Sequence, residues 1–322
     1  MRLIIDTDPG IDDALALLYA LHSPGAHIEA ITTVAGNVDL IKTTRNAHHI
    51  LRHAGMPSPP PIFQGCSSPL RRQPVYAEHV HGEDGLAGQW DGIEQPQQGG
   101  AVDAILRIAQ QNPGEVTLLA LGPLTNVATA LLADRNAFTK LKEVVIMGGA
   151  VQPPGNITPL AEFNFHADPH AAKEVLRSPI PLTIVPLDLT RRAMLRKETL
   201  ETWLADRTDP RARFVTALCH RYFHFYSAID GGEYCFLHDP LATAIALDPA
   251  LTQTERVRIE IETEGQMAAG MVVRDLRPHR ETGCMVNVTT VCDMDEFFRR
   301  FEERVVRLPD ADFAESYPVM TR

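Results

Sequence analysis

Apolar positions along the chain fall into two alternating rhythms. Largely apolar runs at 3–5, 28–34, 116–121, 144–147 and 182–187 have strand length and are rich in β-branched residues. Between them lie stretches with helical spacing, at 12–22, 40–54, 124–133 and onward from Asp168-Pro169. Strands that are apolar on both sides and separated by helices predict an α/β fold. The expected architecture is a mostly parallel, mixed central sheet, Rossmann-like, with helices on both faces. From 195 to 248 the spacing turns helical, and strands return near 257–261 and 286–291. Residues 56–100 are rich in Pro, Gly and Gln and carry little periodicity, which predicts a long active-site loop near 64–100. No repeat or sharp linker divides residues 1–322, so a single domain is expected.

Composition narrows the function classes. No run of 18 or more apolar residues occurs, so no membrane-spanning helix is expected. The start, Met1-Arg2-Leu3-Ile4-Ile5-Asp6, enters strand-like sequence without the apolar core of a secretion signal. Five cysteines without a Cys-x-x-Cys pair argue against a disulfide framework or zinc knuckle and point to a reducing cytoplasm. A net charge of −11 disfavours a nucleic-acid surface, and the basic pairs Arg71-Arg72 and Arg191-Arg192 are too short to change that.

In open sheets of this class, ligands bind beyond the carboxyl ends of the strands. The first strand ends in Asp6-Thr7-Asp8-Pro9-Gly10-Ile11-Asp12-Asp13, four carboxylates in eight residues. Asp6 and Asp8, two apart, are expected to share one side of the strand end. Asp12 and Asp13 fall in the first turn of the next helix, where its dipole favours negative charge. Capping accounts for those two and leaves Asp6 and Asp8 unexplained. Carboxylates packed this closely repel unless a cation neutralises them, and oxygen ligands without His or Cys suit Ca²⁺ or Mg²⁺. Asp-x-Asp after a first strand also marks haloacid-dehalogenase-like phosphatases, with Asp6 as nucleophile, although Pro-Gly and two further acids are the wrong continuation.

The other strand ends add polar groups. Ala35-Gly36-Asn37 ends in an amide able to hold hydroxyls or to cap a turn. Gly122-Pro123-Leu124-Thr125-Asn126 follows Leu121, whose carbonyl is free to bind a hard cation or simply to precede a helix. Beyond Gly148-Gly149 come Asn156 and the run Ala161-Glu162-Phe163-Asn164-Phe165. In extended chain Glu162 and Asn164 face one cavity while Phe163 and Phe165 face the core, a pattern suited to a sugar. Asp168-Pro169 caps the helix that follows. His238-Asp239-Pro240 opens another helix, and Asp239 beside His238 reads as a ligand or hydroxyl acceptor. His81 lies in the long loop, positioned to close over a ligand, while His48, His49 and His53 read as helix-face residues.

Taken together, these segments resemble the inosine–uridine preferring nucleoside N-ribohydrolase family. The matching stretches are Asp6 to Ala14, Val34 to Asn37, His81-Gly82 with Gly85-Leu86, Gly122 to Asn126, Met147 to Gly149, Ala161 to Asn164 with Ala167 to Pro169, and His238 to Pro240, in order along the chain. The resemblance implies Ca²⁺ bound by Asp8, Asp13, Asp239 and the carbonyl of Leu121, with Asp8 as general base. It implies that Asp12, Asn37 and Asn164 hold the ribose hydroxyls, that Asn156 and Glu162 reach the 5′-hydroxyl, and that His238 lies near the base and helps it leave. It further implies nucleoside salvage by a cytoplasmic homodimer or homotetramer with a preference for ribonucleosides. Tyr222, Tyr226 and Tyr234 are candidates around the base, and Arg191-Arg192 departs from the family pattern. The alternatives are an Asp-x-Asp Mg²⁺-dependent phosphatase, a phosphorolytic enzyme, and a non-catalytic nucleoside-binding protein.

Overall fold

A computed structural model describes residues 1–93, 98–278 and 282–307. Strand β1 (Arg2–Thr7) leads into α1 (Ile11–Leu21), followed by β2 (His27–Thr33), α2 (Leu40–Ala54) and the short β3 (Ile62–Gln64). Helices α3 (Glu78–His81) and α4 (Ala101–Gln111) precede β4 (Val116–Ala120), α5 (Thr125–Ala133), α6 (Arg135–Phe138) and β5 (Glu143–Met147). Next come α7 (Phe163–Ala167), α8 (Pro169–Leu176), β6 (Leu182–Val185) and α9 (Leu187–Thr190). A more helical region follows: β7 (Met194–Arg196), α10 (Lys197–Leu204), α11 (Pro210–Asp230), β8 (Tyr234–Phe236) and α12 (His238–Leu247). Strands β9 (Thr252–Ile261), β10 (Val272–Arg274) and β11 (Cys284–Cys292) then lead to α13 (Met294–Phe301).

Nine strands form one sheet in the order β10-β9-β11-β6-β5-β4-β1-β2-β3. Neighbours from β3 across to β11 are parallel, whereas β9 runs antiparallel to both β11 and β10. The expected α/β architecture is therefore the observed one. Strand residues alternate between two buried layers. Leu3, Ile5, Leu119 and Val145 pack beneath α1, α2, α11 and α12, while Ile4, Leu118, Val144 and Ile146 pack beneath α4, α5 and α8. Each such buried aliphatic side chain is worth about 1.5–3 kcal/mol, so the sheet is held from both sides. The chain runs outward from β1 to β3 and then returns to β4 on the other flank of β1, which opens a crevice at the carboxyl ends of β1 and β4.

Two stretches differ from the sequence expectation. The stretch 56–100 contains β3 and α3, and its residues 94–97 lie outside the described residues. The helical segment 195–248 is interrupted by β7 and β8, which pair antiparallel as a separate two-stranded sheet. Strands of three residues are too short for a period of two to be read. The expectation of one domain over 1–322 extends to residues 308–322, which also lie outside the described residues.

Candidate functional site

The two aspartates of β1 and its exit part company. Asp6 turns toward α5, where its Oδ1 accepts from Asn126 Nδ2 at 2.7 Å and from the Thr32 hydroxyl. Burial pushes its pKa up to about 7. Asp8 instead lines a cavity of about 340 Å³ together with Asp12, Asn37, Leu121, Glu162 and Asp239. The expectation that Asp6 and Asp8 share one side fails because the strand ends at Thr7, so its alternation does not extend to Asp8. With Asp6 sealed in the core, the phosphatase reading loses its nucleophile.

Asp8 occupies a slot that only small neighbours allow. Its Oδ2 accepts from the Asn37 N–H at 2.7 Å. A Cβ added at Gly122 would come within 2.5 Å of Oδ1, and one at Gly36 would overlap Oδ2. Asp13, in the first turn of α1, accepts from the Thr7 hydroxyl, from Gly10 N–H at 2.9 Å and from Asn37 Nδ2 at 2.9 Å. The neighbouring Asp12 accepts from the Tyr222 hydroxyl at 2.8 Å. Helix α12 brings in Asp239, and ligand oxygens of Asp12, Asp13 and Asp239 lie within 4.8 Å of one another. The Asp8 carboxylate stands beside this triad, outside it. Burial raises the pKa of each of these acids. For Asp8 and Asp239 repulsion adds to burial, from Asp13 and Asp12 on the first and from Asp12, Asp13, Asp8 and Glu162 on the second. Such a set of buried, like-charged oxygen donors suits a hard divalent cation.

The remaining expected sugar-side residues converge on the same cavity. Asn164 Nδ2 donates to the Leu121 carbonyl at 2.6 Å and to the Met147 carbonyl at 3.1 Å, fixing the ends of β4 and β5. Glu162 caps α7, accepting from Asn164 N–H at 2.8 Å and Gly149 N–H at 2.8 Å, and burial raises its pKa. Because this segment is helical from residue 163, the expected two-sided alternation is lost. Phe165 is core, but Phe163 faces the cavity. Asn156 also lines the wall, with its Oδ1 accepting from Phe163 N–H at 2.9 Å. Asp168 caps α8 through Ala171 N–H, as expected.

The other end is aromatic. His81 Nδ1 accepts from Ile11 N–H at 3.0 Å, so the neutral ring carries its proton on Nε2, and burial holds its pKa down near 3. Burial also holds His238 down to about 3, with the Arg191 charge contributing, and its Nδ1 lies 2.7 Å from the Thr190 hydroxyl. Helix α11 supplies Tyr222, Phe225, Tyr226 and Ile229 to the wall. Arg221 joins it to α3 by donating to the carbonyls of Val80 and His79, each at 3.2 Å. Tyr234 stacks on Tyr226 behind the wall. Sequence reasoning missed Phe163, Phe225, Ile229 and His79, and saw Arg191 only as half of a basic pair. The Thr190-Arg191 pair next to a buried strand end was the available signal.

The model of the inosine-uridine preferring nucleoside hydrolase family matches residues 3–299. The chain belongs to that family. This nucleoside hydrolase is 36% identical to the inosine-uridine preferring nucleoside hydrolase of Crithidia fasciculata, over 96% of this chain and 98% of that protein. It is 38% identical to the pyrimidine-specific ribonucleoside hydrolase RihA of Photobacterium profundum, over 91% of this chain and 94% of that one. Among solved structures, the plant nucleoside hydrolase PpNRh1 superposes with a TM-score of 0.89 at 30% identity, covering 95% of this chain and 99% of that chain. A purine-preferring ribonucleoside hydrolase from Gardnerella vaginalis gives a TM-score of 0.85 at 29% identity, covering 95% and 98%.

Proposed function

We propose that this ribonucleoside hydrolase holds a calcium ion on Asp8, Asp13, Asp239 and the Leu121 carbonyl, and cleaves pyrimidine or inosine-type ribonucleosides to ribose and free base. That the chain is a ribonucleoside N-ribohydrolase follows from its family. The observation that supports the metal reading is the convergence of the buried acids Asp12, Asp13 and Asp239 from α1 and α12, with Asp8 lining the same cavity, and no Lys or Arg neutralises them among the lining residues near them. A bound divalent ion supplies the missing positive charge, and lowers the pKa of water and orients it.

The chain's own residues account for the rest. On this reading Asp12, Asn37 and Asn164, which line the cavity, hold the 2′- and 3′-hydroxyls of the ribose, and Asn156 and Glu162 reach its 5′-hydroxyl. With Oδ2 engaged by Asn37, Asp8 has Oδ1 left to take a proton from the attacking water. The water oxygen bonds to C1′ while the C1′–N bond breaks, its electron pair leaving with the base. Carboxylates around the ring stabilise the positive charge that develops on the sugar. His238, neutral and oriented by Thr190, faces the departing base as a hydrogen-bond donor. The same reading includes a cytoplasmic enzyme, supported by five unpaired thiols, assembled as a homodimer or homotetramer.

The base preference is left to measurement, because the relatives' names range from pyrimidine-specific to purine-preferring. Turnover of uridine, cytidine, inosine, adenosine and their 2′-deoxy forms, with and without chelator, tests the proposal. We expect ribose as product, loss of turnover on chelation with recovery on adding Ca²⁺, and 2′-deoxy substrates at least ~100-fold slower. Full activity after exhaustive chelation would sink the metal reading.

A further inference from the structure

The single turn of α9 and the residue after it grip the cavity wall at three points. Asp188 accepts from the N–H groups of Val151 at 2.9 Å and Gln152 at 2.8 Å. Thr190 meets His238. Arg191, which lines the cavity, donates from Nη1 to the Pro154 carbonyl and from Nη2 to the Gly155 carbonyl, both at 2.7 Å. A guanidinium fork on two successive carbonyls fixes direction as well as distance. The held segment has no slack beyond it. A Cβ at Gly155 would collide with the backbone of Ala161, and Asn156 N–H donates to that residue's carbonyl at 3.1 Å. The next side chain, Asn156, lines the cavity, its Oδ1 engaged by Phe163 N–H and its Nδ2 without a partner among the described residues.

We propose that Arg191 is a positioning residue for the sugar end of the site: by clamping carbonyls 154 and 155 it aims the Asn156 amide at the 5′-hydroxyl, and so sets the preference for a ribose that carries that group. The inference rests on the reading that Asn156 reaches the 5′-hydroxyl. A basic side chain is used here to order backbone, with no anion involved.

The test compares kcat/KM for uridine and 5′-deoxyuridine, or for inosine and 5′-deoxyinosine if the enzyme prefers it, across Arg191→Gln, Arg191→Lys, Asn156→Ala and the double variant Arg191→Gln/Asn156→Ala. We expect Arg191→Gln to reduce the preference for the 5′-hydroxyl roughly tenfold, mainly through KM. Arg191→Lys recovers part of it, since an ammonium can bond one carbonyl but cannot fork. The double variant is no worse than Asn156→Ala alone, as for two residues acting through one contact. Thermal melts of each variant separate this from misfolding, and a proportional loss on both substrates, as general loosening would give, overturns the proposal. So does an unchanged preference in Arg191→Gln when Asn156→Ala has lost it. An unchanged preference in Asn156→Ala overturns the Asn156 reading itself, and the inference with it.

Discussion

At the acidic end of the cavity, side chains are held by strand ends and helix starts. Asp8, Asp13 and Glu162 accept backbone N–H groups from Asn37, Gly10 and Gly149. At the aromatic end the wall is α11 and α3, joined by Arg221 to carbonyls and backed by rings packed edge-on and stacked. The first construction leaves little freedom, because backbone of the central sheet moves only with the core. The second depends on a few side chains that can let go. On the proposed reading, the groups that must be fixed for chemistry lie at strand ends and helix starts packed on the sheet, and those that face the base lie on helices inserted around it.

The largest effect should come from the acidic end. Asp8→Ala is expected to lower kcat by at least ~1,000-fold with an unchanged circular dichroism spectrum, the proposed proton acceptor and metal-ligand oxygen being lost together. Retention of normal turnover would remove Asp8 from the mechanism. Next, Gly122→Ala should displace the Asp8 carboxylate and cost on the order of 100-fold in kcat/KM, since shifts near 1 Å have effects of that size. Kinetics within a few fold of the parent would mean that the slot relaxes.

Smaller effects should come from the aromatic end. Arg221→Ala is expected to raise KM about three- to tenfold for every base while kcat changes less, because it frees α3 from α11 and leaves the acids in place. A fall in kcat with KM constant would instead tie the latch to the chemical step. The smallest effect on activity should come from the root of α11. There His53 stacks on Phe214, with ring centroids 4.0 Å apart, and is held down to about 3 by burial, with His49, Arg52, Asp91 and Arg211 facing it. A histidine lowered from 6.5 contributes its stability in full above about pH 6.5 and loses it as pH falls toward 3, because the unfolded chain then binds the extra proton. The loss reaches on the order of 3 kcal/mol near pH 4. His53→Phe should therefore flatten the acid side of the Tm–pH profile while leaving turnover at pH 7 unchanged, and an unaltered profile would assign the acid sensitivity to other groups.

The same contrast governs what could be read from sequence. The acidic end is written in contiguous motifs, because a strand end, a tight turn and a helix start are adjacent in the chain, and Asp8, Asp12, Asp13, Asn37, Glu162, Asn164 and Asp239 all reach one cavity or its rim. Asp6 was misplaced because its direction depends on where β1 stops, which spacing does not reveal. The aromatic end is assembled from residues about 140 apart, such as Val80 and Arg221, and neither carries a local signature. Phe163 changed sides because a cap by Glu162 turned an expected extended segment into a helix. Helix α4 does carry its signal, with Ala101, Ala104, Ile105, Ile108 and Ala109 buried at helical spacing, but its start is hidden by the Pro-, Gly- and Gln-rich stretch before it.

A helix start normally welcomes phosphate, yet at α1 the Gly10 and Ile11 amides already serve Asp13 and His81. The one arginine or lysine among the lining residues, Arg191, points its donors at carbonyls. In the proposed pose the phosphate of a nucleotide would lie toward Glu162 and Asn156, with no uncommitted Arg or Lys among the lining residues to meet it. On that reading the preferred substrates are unphosphorylated nucleosides, the products of a phosphatase-type step, and Glu162 acts as a filter on what may enter.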